Sequence, residues 1–151
     1  RLEIGTGRLI TQLETAMSET ASSDLKDRID TIEEAYEYML AYAAQGLERE
    51  NESDSGGIRG FLSNAAKALE DIHQVAQERA AALASDADQW NAYLEILKTD
   101  AATAQILINF ALMQPVLGSE LIDNLNATSH IRALLTDVFL LDSALDAHAD
   151  G

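Results

Sequence analysis

Glu70 and His73 are the residues whose types and spacing best fit metal chemistry. They stand three positions apart in the stretch Glu-Asp-Ile-His. Residues three apart on a helix are neighbours on its surface, so this carboxylate and this imidazole can bind one metal ion together. Carboxylates from neighbouring helices of a bundle would complete such a site. The pair therefore predicts a candidate site for iron or manganese.

The spacing of Glu70 and His73 resembles half of the di-iron pattern of ferritin-like proteins. That family uses two Glu-x-x-His motifs and one further Glu on each of the other two helices. Neither His130 nor His148 has a Glu three residues before it, so the chain contains only one such motif. The resemblance therefore implies a site that a second subunit completes. The alternative is that both side chains are ordinary solvated residues on the flank of a helix, and the sequence favours this alternative, with no cofactor.

Composition excludes several other kinds of chemistry. The 151 residues include 26 acidic and 10 basic ones, which gives a net charge of -16. Anionic surfaces, both nucleic acids and membranes, repel such a chain. The sequence has no cysteine, which excludes disulfides, thiolate metal sites and cysteine nucleophiles. We find no nucleophile elbow and no phosphate-binding glycine loop, so the sequence favours a protein that is not an enzyme.

The apolar stretches are too short to cross a membrane. The longest is 106–113, whereas a membrane-spanning helix needs about 20 residues. We therefore expect a soluble protein without membrane insertion, and we take the cytoplasm as the default compartment.

Apolar residues recur at spacings of three and four along the whole chain, which predicts helices throughout. Leu25 lies more than a right angle around the helix from the stripe that contains Leu9 and Leu13, so we expect a helix break at Ser22-Ser23. The fold class predicted is all-α, an elongated antiparallel bundle of four long helices plus a short N-terminal helix, in one domain of residues 1–151. The five helices expected run from Arg8 to Ala21, from Ser22 to before Gly46, from Ile58 to Ala84, from the capping residue Ser85 to Gln114, and from Gly118 to Ala147.

The last two predicted helices carry more apolar residues than one face of a bundle requires. The surplus lies in 106–108 and 134–141. These residues either form the centre of the bundle, with the first helix as a cover, or face a second subunit or another protein. The residues expected to bind a partner are Ile106, Phe110, Leu134, Val138, Phe139, Leu140 and Leu141.

Together these features predict a non-enzymatic module for protein interaction or regulation, such as an adaptor, a chaperone or a sensor-type domain. It would act through the apolar faces of its fourth and fifth helices. Its acidic surface would select a basic or neutral protein partner, and a second copy of the chain is one such candidate, as a homodimer. The alternative function is a ferritin-like helical metal protein, with a di-iron or similar site at Glu70 and His73.

Overall fold

A computed structural model of the chain describes residues 2–51, 56–83 and 86–149, apart from the side chains of residues 2–6, 14–23 and 149. These residues form helices joined by turns, and none of them belongs to a β-strand. The predicted all-α fold class is confirmed. The helices are α1 (Leu2–Ala44), α2 (Ile58–Leu83), α3 (Ala87–Leu112), α4 (Ser119–Ala127) and α5 (Ser129–Ala149).

The long helices pack as an antiparallel bundle. α1 packs on α2 and α2 on α3, while α4 and α5 share the fourth position, where they contact α1 and α3. Arg28 near the start of the packed part of α1 bonds to Asp71 in the second half of α2. Tyr38, ten residues later in α1, stacks on Phe61 near the start of α2. A helix of 26 residues is about 39 Å long, so the bundle is elongated, as predicted.

The core consists of apolar residues that recur at the spacings of three and four seen in the sequence. On α1 the residues Leu25 and Ile29 are fully buried, and on α3 Leu97 and Ala104 are as well. Small residues line α2, which lets its neighbours approach closely. The buried residues of α2 are Ile58, Leu62, Ala65, Ala66, Ala68, Leu69, Ile72, Val75, Ala76 and Ala80.

The segment predicted as a short N-terminal helix is helical, but the break expected at Ser22-Ser23 is wrong. The helix runs without interruption from Leu2 to Ala44. The expectation assumed that Leu9 and Leu13 share a core with Leu25. Instead both leucines are exposed, so a continuous helix costs no burial.

The helix predicted from Gly118 to Ala147 is divided in two, which is a second correction. Thr128 has an extended backbone (φ -62°, ψ 143°) between α4 and α5. Its hydroxyl oxygen accepts a hydrogen bond of 3.1 Å from the backbone N–H of Ile131, which caps the start of α5.

The start of α3 also differs from the expectation. Asp86 is the N-cap, and its carboxylate accepts a hydrogen bond of 3.4 Å from the backbone N–H of Gln89. Ser85, the residue expected to cap this helix, lies outside the described residues. Gly46 ends α1 with a positive φ of 65°, in agreement with the predicted glycine C-cap.

Candidate interaction surface

The predicted metal pair lies on the outer side of α2. Glu70 is exposed and His73 is half-buried. The adjacent Asp71 is already engaged by Arg28, through Nε–Oδ1 and Nη2–Oδ2 hydrogen bonds of 2.7 and 3.0 Å. Those bonds hold the pKa of Asp71 below its ordinary value. In the described part of the chain, no group of three or more acidic or histidine side chains is placed to hold a metal.

The seven residues predicted to bind a partner fall into two groups. Leu134, Val138 and Leu141 are buried in the core, because the inner face of α5 closes the bundle. A partner cannot reach these three without opening the bundle. The other four are exposed on the outside of α3 and α5, and they are Ile106, Phe110, Phe139 and Leu140.

The exposed face of α3 carries several large apolar side chains. Ile106 is 68% exposed, Phe110 58% and Met113 72%. Ile96 lies on the same face, two to three turns earlier, and is also exposed. Ile96 and Met113 were not among the residues predicted to bind a partner. Their positions at intervals of three and four residues along the stripe that contains Ile106 and Phe110 are the signal that could have identified them.

We name this stripe the α3 face and define it by its eight heptad positions. The intervals between them alternate between three and four residues. All are exposed except Thr103, which is half-buried. The eight residues are Gln89, Ala92, Ile96, Thr99, Thr103, Ile106, Phe110 and Met113.

An apolar groove adjoins the N-terminal end of the α3 face. Its volume is about 210 Å³, and apolar atoms form nearly all of its lining. Trp90 and Tyr93 of α3 form one wall, and Leu140 and Ala144 of α5 form the other. Gln89 belongs both to this groove and to the α3 face, so the groove and the face form one continuous surface.

A pair of acidic residues lies between α3 and α5, next to this groove. Asp137 is partly buried beside Asp100. Its burial is the main cause, and its hydrogen bond with the Asp100 carboxyl group the second cause, that raises the pKa of Asp137 to about 7. Its Oδ2 atom is buried without a hydrogen-bond partner. The hydroxyl group of Tyr93 donates a 2.6 Å bond to the backbone carbonyl of Asp137. Burial also raises the pKa of Tyr93. Asp137 therefore keeps its proton to a higher pH than an ordinary aspartate does.

The C-terminal end of α3 is fixed by Arg59 and Glu50. The Arg59 guanidinium group donates hydrogen bonds of 2.9 Å to the carbonyl groups of Leu112 and Gln114, and its Nε bonds to Glu50 Oε1 at 2.8 Å. The second oxygen of Glu50 accepts the backbone N–H of Leu117 at 2.8 Å. These bonds hold the C-terminal end of α3, with its apolar side chains, against the start of α2 and the connection before it.

Comparison of the chain with protein-family models, with curated proteins and with solved structures finds no match. None of the described helices combines the length and the apolar character that crossing a membrane requires. Any functional assignment therefore depends on the surface of the bundle itself.

Proposed function

We propose that this chain is a protein-interaction module of the adaptor, chaperone or sensor type, which binds a protein partner through the α3 face and the adjoining groove. The observation that carries the proposal is the exposure of Ile106, Phe110 and Met113 on one side of a helix whose other side is buried. Side chains of this size at successive turns are the usual anchors of helix-in-groove recognition and of helical pairing.

The core does not need these residues. α3 already buries a separate stripe against α2 and α5, which includes Leu97, Ala104 and Ile108. Exposing a second row of large apolar side chains costs solubility and contributes nothing to packing within the chain. A binding function accounts for that row.

The distribution of charge supports the same surface. Between Asp100 and Glu120 the chain carries no Asp, Glu, Lys or Arg, although its net charge is -16. Interface centres are depleted of charged residues, because a charge buried without a partner is costly to desolvate. The C-terminal half of the α3 face therefore suits a partner with an apolar, uncharged surface.

α5 contributes the opposite wall of the surface. Leu140 is 59% exposed and lines the groove. Phe139 is less exposed, and its ring meets the edge of the Tyr36 ring at a centroid distance of 6.2 Å. Leu140 is thus the better placed of the two to touch a partner, and Phe139 joins α5 to α1.

Site-specific photo-cross-linking in the native host tests this function. Benzoylphenylalanine replaces Phe110 in one variant and the exposed residue Gln77 of α2 in a matched control. We expect an adduct of defined mass that depends on ultraviolet light for position 110 and not for position 77. If the two positions give the same adducts, or if neither gives any, the α3 face is not an interaction surface.

The metal-binding alternative at Glu70 and His73 stays a prediction. A second subunit would have to supply the remaining ligands, and no contact among the described residues favours it over the interaction module.

A further inference from the structure

We propose that the partner of the α3 face is a second copy of this chain, bound antiparallel along α3, so that Met113 of each copy enters the groove beside Trp90 of the other. This inference rests on the proposed function and names the partner for the same surface. It also predicts a two-fold symmetric dimer, in which one surface meets its own copy.

The spacing of the α3 face is typical of a coiled-coil seam. Its eight residues alternate between intervals of three and four from Gln89 to Met113, as the a and d positions of a heptad repeat do. A seam of this kind packs against a second helix with the same repeat. Because every copy of the chain has the same α3 face, a second copy can supply that helix.

An antiparallel arrangement matches the eight positions in complete layers. With the two-fold axis near Ala101, Ile96 lies opposite Ile106 of the partner subunit, and Thr99 lies opposite the partner's Thr103. Ala92 lies opposite the partner's Phe110, so the largest side chain of the seam meets the smallest one. Such pairing of large with small residues lets facing helices interdigitate.

The outermost layer joins the seam to the groove. In this register Gln89 lies opposite Met113 of the partner subunit. Gln89 lines the groove with Trp90, Tyr93 and Leu140, and the flexible thioether side chain of methionine fills irregular apolar spaces well. The α3 face therefore carries the protruding side chain at one end and the cavity that accepts it at the other, as a self-complementary surface requires.

The charges that flank the seam favour the antiparallel direction. Asp88, Glu95, Lys98 and Asp100 lie beside its N-terminal half, which is acidic on balance, whereas the C-terminal half has no charged neighbour in the sequence up to Glu120. Antiparallel copies place each acidic half against an uncharged half. A parallel pair would place the acidic half of one copy against the acidic half of the other, and like charges in contact are destabilising.

The small size of the surface indicates a weak association. From Gln89 to Met113 the helix rises about 36 Å, and a helix face is about 10 Å wide. The seam alone thus offers less than half of the roughly 800 Å² per partner that a standard stable interface buries. The net charge of -16 on each copy also opposes association at low salt. We therefore expect a dissociation constant of about 10 to 100 µM that falls as salt is added.

Cysteine cross-linking tests the partner and the register together. The chain has no cysteine, so each introduced thiol is the only one. Variants with Gln89→Cys and with Met113→Cys are mixed at about 200 µM, above the expected dissociation constant, and treated with a short bis-maleimide. We expect dimers that link position 89 of one copy to position 113 of the other, and far fewer links from position 113 to itself. Gln77→Cys on α2 is the matched control for random collisions.

Each other outcome overturns the inference in a distinguishable way. Links from position 113 to itself would show a parallel pair, which contradicts the proposed register. Cross-linking of the 89 and 113 variants no greater than that of the Gln77→Cys control would show that the partner is not a second copy. If the photo-cross-link at position 110 then gives an adduct with a different protein, the proposed function stands and only this inference fails.

Trp90 gives a second measurement without cross-linkers, because it is the only tryptophan of the chain. Covering the groove should shift its fluorescence to shorter wavelength as the protein concentration rises through the dissociation constant. The variant Met113→Glu should remove this shift, while Gln77→Glu, which adds the same charge on α2, should keep it. An emission maximum that does not change with concentration in the wild type would contradict the proposal.

Discussion

The Nε atom of Arg59 lies 2.8 Å from Oε1 of Glu50, and this ion pair joins three parts of the bundle. Arg59 belongs to the first turn of α2, and Glu50 to the connection before it. Arg59 also binds the carbonyl groups that end α3, while Glu50 holds the backbone N–H of Leu117. One pair of side chains therefore fixes the end of α3 that carries Phe110 and Met113.

Replacing Arg59 should destabilise the bundle measurably. Arg59→Ala removes the hydrogen bonds to Leu112, Gln114 and Glu50, and hydrogen bonds to charged groups contribute about 1.5 to 3 kcal/mol each, less where solvent screens them. We expect the free energy of unfolding to fall by about 2 kcal/mol and the melting temperature by roughly 4 to 8 °C. Thermal unfolding followed by circular dichroism measures this. Lys98→Ala, at an exposed position of α3, is the control and should change the melting temperature little; equal losses in both variants would contradict the role given to Arg59.

Gly118 is required where the chain enters α4. A Cβ atom at this position would lie 2.8 Å from the backbone carbonyl oxygen of Glu48 and 3.2 Å from that of Leu47. Because backbone atoms cannot move aside as a side chain can, Gly118→Ala should cost about 1 to 3 kcal/mol. Urea unfolding measures the loss. Gly7→Ala is the matched control, since a Cβ there meets nothing within 4 Å and should leave stability equal or slightly higher. A Gly118→Ala variant as stable as that control would contradict the close approach.

The pair of Asp100 and Asp137 predicts how stability depends on pH. The carboxyl group of Asp137 has a pKa of about 7 in the folded chain, above its ordinary value of 3.8. The folded state therefore binds this proton more tightly than the unfolded state does. This difference adds to the free energy of unfolding in full below about pH 4, and the added stability is lost as the pH rises through 7.

The variant Asp137→Asn isolates this contribution. The free energy of unfolding of the wild type should decline between pH 4 and pH 7, and that of the variant should not. The stability of the variant relative to the wild type should therefore rise by about 1 kcal/mol over this range, a value that allows for partial screening by solvent. Urea unfolding of both proteins at several pH values provides the test. Two curves that stay parallel across the range would show that Asp137 has an ordinary pKa.

Metal analysis tests the alternative at Glu70 and His73. We expect the protein, produced with iron and manganese supplied, to show no stoichiometric metal in a native mass spectrum, because no group of three acidic or histidine side chains among the described residues is placed to hold a metal. The variant His73→Ala serves as the comparison. A bound ion in the wild type that this variant loses would favour the metal protein and would count against our assignment.

The buried stripes of α1, α2 and α3 could be predicted from the sequence, whereas Leu134, Val138 and Leu141 of α5 were predicted to bind a partner and are buried. The stripes with Leu25 and Ile29 in α1 and with Leu97 and Ala104 in α3 are in the core, as their spacing indicates. Glycines at positions 46 and 118 mark helix ends because a positive φ or a close backbone approach requires them.

The remaining features depend on tertiary contacts, which the spacing of residues in the sequence does not reveal. The continuity of α1 through Ser22-Ser23 follows from the exposure of Leu9 and Leu13, which frees them from sharing a core with Leu25. The division of the last helix follows from one extended residue, Thr128. On α3 the spacing indicates the buried stripe, but it does not indicate that a second row of large apolar residues lies exposed on the other side of the helix.

The most direct test of the α3 face as the surface of a homodimer is analytical ultracentrifugation of the purified chain over a range of concentrations and salt. We expect the wild type to pass from monomer to dimer, more readily at about 0.5 M salt than at low salt. Phe110→Glu should remain a helical monomer, and Gln77→Glu should dimerise as the wild type does. A wild type that stays monomeric throughout, or a Phe110→Glu variant that dimerises equally well, would contradict a homodimer formed through the α3 face.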